Sequence, residues 1–308
     1  MATVQLRKTA EQTGGHANIQ AGVMLIRFGY EITINCWSPA AVVTMLSIRD
    51  GREAEVRMPE AFTTSPPIPT GTYKDLFGNT CRRFIAPPGD LTFSADMVIA
   101  DDGLPDAYAP EAVQHETADL PDACLLYLMG SRYCETDRLS QVAWNTFGHI
   151  PPGWARVQAI CDFAHDRIRF NYQNARSTRT AFEAFEEGTG VCRDFAHLAV
   201  TLCRCMNIPA RYVNGYLGDI GVPPAGPMDF AAWMEVYLGD RWYTFDPRNN
   251  VRRIGRIVIA HGRDAADVAM LTSFAPHILN SFEVWTDEID EDEAMSNSRF
   301  ASVGHAAC

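Results

Sequence analysis

The stretch that most restricts the fold is Gly188-Thr189-Gly190-Val191-Cys192-Arg193-Asp194-Phe195-Ala196-His197. A glycine-rich turn there runs into a long apolar segment. No Gly or Pro interrupts residues 192–206, and Pro209 stops the run, which predicts a helix beginning at Cys192. Phe195, Leu198, Ala199, Leu202, Cys203 and Met206 form a wide apolar face, and Arg193, His197, Thr201 and Arg204 a narrow polar stripe. Such a helix is buried on most sides, so its first turn lies inside the fold. The free N–H groups and the positive dipole end at that turn favour a thiolate and an oxyanion. A buried, inert cysteine is the competing reading. The glycines and the helix-start position weigh against it.

Composition narrows the class. The 308 residues carry a formal charge of −12, which excludes nucleic acid and anionic membranes as expected partners. Much of the acidity is local, in Asp287, Glu288, Asp290, Glu291, Asp292 and Glu293. Nine cysteines without small-scaffold spacing argue against a disulfide framework and for a reducing compartment. No C-x-x-C pair occurs, and Cys203 and Cys205 point to different sides of one helix. No metal and no cofactor are therefore expected. Neither a signal-peptide core nor a membrane-length apolar run is present, so the expected location is cytoplasmic.

Along the chain, residues 1–20 read as a flexible leader. Strand patterns at 23–35, 41–48, 80–86 and 91–100, parted by Pro- and Gly-rich turns, predict a small β-sandwich domain over 21–102. A linker follows at 103–122. Helices are expected at 154–168 and 180–187, the second ended by Gly188, and strands at 211–217, 231–238 and 241–246. Gly239-Asp240 fits a two-residue type II′ hairpin turn. A short strand at 282–285 closes a second domain over 123–286. The acidic residues 287–308 read as a disordered tail.

If Leu238 pairs with Arg241, then Trp233 lies opposite Asp246, and position 231 lies diagonally across from Asp246 on the same face. A cysteine at a helix start beside such a hairpin is the layout of a Cys-His-Asp nucleophile. Gly-Val-Cys-Arg-Asp-Phe-Ala-His at 190–197 resembles the nucleophile motif of the transglutaminase-like superfamily of cysteine acyltransferases and peptidases. Asn-Ile-Pro-Ala-Arg-Tyr-Val-Asn-Gly-Tyr at 207–216 and Trp-Tyr-Thr-Phe-Asp-Pro-Arg at 242–248 are similar to the blocks that follow it. The resemblance runs from about Ala123 to Asp267, and the preceding β-domain resembles one attached to bacterial members. It implies an α+β fold with a papain-like transglutaminase core, Cys192 as nucleophile and Asp246 as orienting acid.

The family's second block, Asp-x-His-Ala-Trp-x-Glu, departs here at one place. The chain reads Asp229-Phe230-Ala231-Ala232-Trp233-Met234-Glu235, so Ala231 stands where the resemblance places the catalytic histidine. With the rest of the block intact, the first expectation is an inactive His-to-Ala form of a thiol acyltransferase, peptidase or amidase. The second is a naturally non-catalytic, peptide-binding module of the same fold. Trp233, Tyr216 and Tyr172 are the candidate substrate-binding aromatics, and Tyr172 and Asn171 the candidate second oxyanion donors. The expected partner is a peptide or another amide-bearing substrate.

Overall fold

The computed structural model describes residues 23–224 and 229–294. The expected leader and residues 295–308 of the expected tail lie outside them. Two sheets form the first layer pair. Long alternating runs build β1 (Met24–Cys36) and β2 (Ala40–Thr44). The short strands β3 (Val56–Met58), β4 (Thr63–Ser65) and β5 (Thr70–Lys74) come next, then β6 (Thr80–Ala86) and β7 (Gly89–Asp101). β1 pairs with β7 along its whole length, while β2 and β6 belong to the second sheet. Inward residues of both sheets, among them Ile26, Phe28, Val42, Phe84 and Phe93, fill one core. β3 to β5 are too short and polar to be read from alternation.

The helical part follows: α1 (Asp122–Leu125), α2 (Thr136–Phe147), α3 (Trp154–Arg167), α4 (Ala181–Glu187) and α5 (Cys192–Cys205). Two short strands, β8 (Arg169–Phe170) and β9 (Thr189–Gly190), pair in parallel just before α5. A third sheet has the order β12-β11-β10-β13, from β10 (Ala210–Tyr216), β11 (Ala231–Leu238), β12 (Arg241–Phe245) and β13 (Ile257–Gly262). α5 packs between this sheet and the other helices, so His197, Thr201 and Arg204 of its polar stripe are enclosed. Arg204 donates to the Ala210, Met129 and Arg263 carbonyls, and Thr201 to that of His197. Both hairpin-turn residues have positive φ, 51° at Gly239 and 66° at Asp240. The turn is therefore type I′, not the expected II′.

The chain's last strands are the largest departure from the sequence reading. β14 (Leu271–Ser273) joins β2, and β15 (His277–Ile289) runs beside β1 for nearly its full length. The expected four-residue strand at 282–285 is thus thirteen residues long and belongs to the first sheet, and the acidic Asp287 and Glu288 are paired backbone. Alternation fails to reveal β15 because it is an edge strand, with residues 278–283 all exposed. Gly29 marks the packing between β1 and β15. A Cβ there would run into the Ala95 carbonyl and come within 2.5 Å of the Trp285 ring. Gly29→Ala is expected to lower stability by about 1–3 kcal/mol through overpacking. Unchanged thermal melting of that variant would show that β15 does not pack on β1.

Candidate active site

The approach to Cys192 is built by a chain of local devices. Thr180 accepts from Glu183 N–H and Glu183 returns to Thr180 N–H, which caps α4. Gly188 ends α4 in the left-handed region at φ 61°. Val191 is extended, and its N–H is taken by Asp194 Oδ2 at 2.9 Å. Asp194 is fully buried, and Arg179 reaches it at 3.1 Å and Arg193 at 3.3 Å. A side chain at residue 190 would lie 2.6 Å from Asp194 Oδ2, so the turn into the helix requires glycine there.

Two backbone N–H groups, those of Ala232 and Arg193, act on the Cys192 sulfur and favour its thiolate. The first is available because of how β11 and β12 part. Leu238 and Arg241 close the hairpin, so the backbone groups of Leu238, Val236, Met234 and Ala232 all turn toward β12. The ladder stops at Met234 opposite Phe245. The residue that would face Ala232 is Pro247, past the strand's end and without an N–H. Its carbonyl is contacted instead by His165 Nδ1 at 3.2 Å. The start of α5 fills the gap so left in the sheet edge.

Burial pushes the Cys192 thiol up to about 11; Arg248 opposes this, Asp229 reinforces it, and the two N–H groups oppose it. Tyr172, half exposed, donates to Asp229 Oδ2 at 3.3 Å and meets Phe170 edge to face at 4.9 Å. The Arg248 guanidinium lies 4.2 Å from the centre of the Phe170 ring. Burial raises the Asp229 carboxyl, against the Phe230 N–H and the Tyr172 hydroxyl. Asp229 and Arg248 are the site residues that sequence reasoning missed. Their signals were present: Asp229 opens the second motif block, and Arg248 is the residue opposite position 231 in the hairpin register.

Strand alternation divides the remaining candidates. Ala232, Met234 and Val236 face the cores that hold α5, and Cys192 packs with the group containing Tyr212, Phe230 and Ala232. Ala231 and Trp233 cluster with Val213 on the other face. Cys192 is thus beside the backbone at the start of β11, while the Ala231 side chain belongs to the Trp233 layer. Asp246, at the end of β12, accepts from the N–H groups of Arg248 at 3.1 Å and Asn249 at 2.9 Å. It also accepts from Asn249 Nδ2 and Arg256 Nη2, both at 2.7 Å. Burial pushes its carboxyl up, but Arg256 and Asn249 hold it below the usual carboxylate range.

Two of the candidate substrate-binding aromatics are fully buried. Tyr216 is fully buried, donates to the Leu46 carbonyl at 3.3 Å and packs on Phe28 at 4.9 Å. Trp233 is also fully buried, with the Arg256 guanidinium 4.9 Å over its ring. The sandwich covers that end of β10, a contact between distant segments that neither local sequence carries. Asn171 caps its own turn through Gln173 N–H, which engages its side-chain oxygen. Of the other histidines, His197 accepts from Ala265 N–H at 3.1 Å and stacks on Tyr133 at 5.1 Å. His165 is bound to the Arg248 carbonyl at 2.9 Å. Among the described residues no group of three or more His, Cys, Asp or Glu could hold a metal ion, and eight cysteines are free thiols. No described helix is long and apolar enough to cross a membrane.

Known proteins share this fold. Residues 142–247 match the core of the transglutaminase-like superfamily. The Mycobacterium leprae protein ML0607 is 38% identical over 216 residues, covering 68% of this chain and 77% of the relative. Rv2569c of Mycobacterium tuberculosis is 38% identical over 235 residues, covering 67% and 72%. The crystal structure of a candidate cysteine protease from Cytophaga hutchinsonii superposes with a TM-score of 0.75 at 28% identity, over 88% of this chain and 92% of that one. The chain belongs to the transglutaminase-like superfamily, with the α+β core and the β-sandwich before it.

With its thiol raised to about 11 by burial, Cys192 is expected to be alkylated by iodoacetamide ever faster as pH rises. The expected slope is about tenfold per pH unit between neutrality and pH 10. Mass spectrometry of the modified peptide measures it. A plateau reached below pH 8 would mean that a cation other than Arg248 pairs with the sulfur.

Proposed function

We propose that this chain is built for cysteine-dependent acyl transfer on amide bonds and is held inactive by Ala231. The observation that carries the reading is the Cys192 sulfur at the N-terminus of α5, on the N–H of the residue next to Ala231. In the reaction such a site serves, the thiol proton passes to a base as sulfur attacks an amide carbonyl. The base returns the proton to the leaving amine, and the product is a thioester on Cys192. Water then gives a hydrolase; a second amine gives a transamidase. The helix N-terminus and the Cys192 N–H supply stabilisation for the tetrahedral oxyanion. An imidazole at position 231 is the missing base and Asp246 its partner. Without it, the neutral thiol binds next to a peptide or other amide and does not turn it over. A reducing compartment such as the cytoplasm suits the free thiols of this chain.

A second reading, a naturally non-catalytic peptide-binding module, is favoured by the engagement of Asp246. Its oxygens are already taken by Arg256, Asn249 and two N–H groups, as in a site that has settled without an imidazole. The substitution Ala231→His tests the first reading. It should speed iodoacetamide alkylation of Cys192 at pH 7 and raise acyl-transfer turnover, with a general base worth about 10²–10⁴-fold. If the chain as it stands alkylates at Cys192 as fast as the variant, another base is present and the reading is wrong.

A further inference from the structure

We infer that Arg256 is a second determinant of activity, a positioning residue that occupies Asp246 and keeps it from orienting an imidazole. The inference rests on the acyl-transfer reading above. A carboxylate presents about four lone-pair directions. Those of Asp246 receive four donors, at 2.7 Å from Arg256 Nη2, 2.7 Å from Asn249 Nδ2, 2.9 Å from Asn249 N–H and 3.1 Å from Arg248 N–H. Arg248 and Asn249 donate from the turn that follows β12 and fix the carboxylate's direction. The guanidinium alone comes from a distant element, the approach to β13.

Arg256 is itself held firmly. Its Nε bonds both oxygens of Asp106, at 3.0 and 2.9 Å, and its plane lies over Trp233. Asp106 is in turn fixed by the backbone of Arg253, whose N–H reaches it at 2.9 Å. Side-chain exposures of 6% for Arg256 and 2% for Asp246 keep water from competing for the pair. Trp233 and position 231 lie on one face of β11, so the cation stands on the side from which a side chain at 231 would approach Asp246. Arg256 therefore donates to Asp246 the hydrogen bond that the imidazole donates to the orienting acid in a Cys-His-Asp site.

Two positions then set the activity, 231 through the base and 256 through its orientation. The test compares Ala231→His, Ala231→His with Asp246→Asn, and Ala231→His with Arg256→Met. Each is read by p-nitrophenyl acetate turnover, against a Cys192→Ser control, and by the NMR titration of the introduced imidazole. Adding Asp246→Asn to Ala231→His should change turnover less than about threefold, because Asp246 is not on the imidazole. Freeing Asp246 with Arg256→Met should raise turnover at least tenfold over Ala231→His alone and move the imidazole titration upward by about one pH unit, a shift that a structural role would not give. If Asp246→Asn cuts the turnover of Ala231→His more than tenfold, Asp246 already serves the base. The inference is then wrong and the acyl-transfer reading stands. If Ala231→His brings no Cys192-dependent turnover, alone or with either second change, the acyl-transfer reading fails and the inference with it. Should the Arg256 variant not fold, the Asp246→Asn comparison decides alone.

Discussion

Pro247 is where the site begins. A strand that continued past Phe245 would pair with Ala232, cover its N–H and leave no room for the start of α5 at the sheet edge. Proline has no N–H to offer and takes up the turn in which Asp246 caps Arg248 and Asn249. The freed donor of Ala232 then meets the Cys192 sulfur. A buried backbone N–H left unpaired costs on the order of 1–3 kcal/mol. The sulfur is therefore a structural partner of the sheet as well as a candidate nucleophile.

The opposite side of the same contact is held by Asp194. A fully buried carboxylate is costly unless it is paired, and here it has Arg179, Arg193 and the Val191 N–H. Arg179 extends the network to Glu187 at the end of α4, at 2.9 Å. The two helices on either side of Gly188–Val191 are thereby tied together across the turn. Removing one partner of such a group costs about 3–5 kcal/mol, so the first turn of α5 is fixed before any substrate arrives. Sandwich, third sheet and helix also share a core, since Ala196, Tyr212, Tyr216 and Ala232 pack with Ile26 and Phe28.

How far the chain could be read from its sequence follows from the range of the interactions. The helix at Cys192, the capped helix before it and the β11–β12 register were legible, because each depends on residues within a few turns of one another. Val157, Ile160, Cys161, Ala164 and Ile168 are buried as their spacing predicts. β15 was not legible, since its pairing with β1 spans the length of the chain and its outer face carries no alternation. The burial of Tyr216 was hidden for the same reason: an aromatic near a nucleophile in sequence order gives no sign of the sandwich that packs on it. Asp229 and Arg248 stood in the quoted blocks, where only block position and hairpin register, not side-chain chemistry, set them apart from surface charges.

The charges around Cys192 fit together once the missing imidazole is considered. In a Cys-His-Asp site a single imidazolium faces both the sulfur and the acid, and it can give up its proton. Here two guanidinium groups divide those positions. Arg248 acts on the Cys192 thiol through its charge, and Arg256 bonds Asp246. Positive charge is thus present toward each of the two groups, which explains how Asp246 is kept ionised in a buried place without a histidine. Neither arginine can accept a proton at neutral pH, because guanidinium does not deprotonate in proteins. On the proposed reading the base is wanting at position 231 and its orienting acid is occupied by Arg256. The electrostatic frame around the thiol therefore holds charge, and position 231 offers no group able to carry a proton between sulfur and leaving amine.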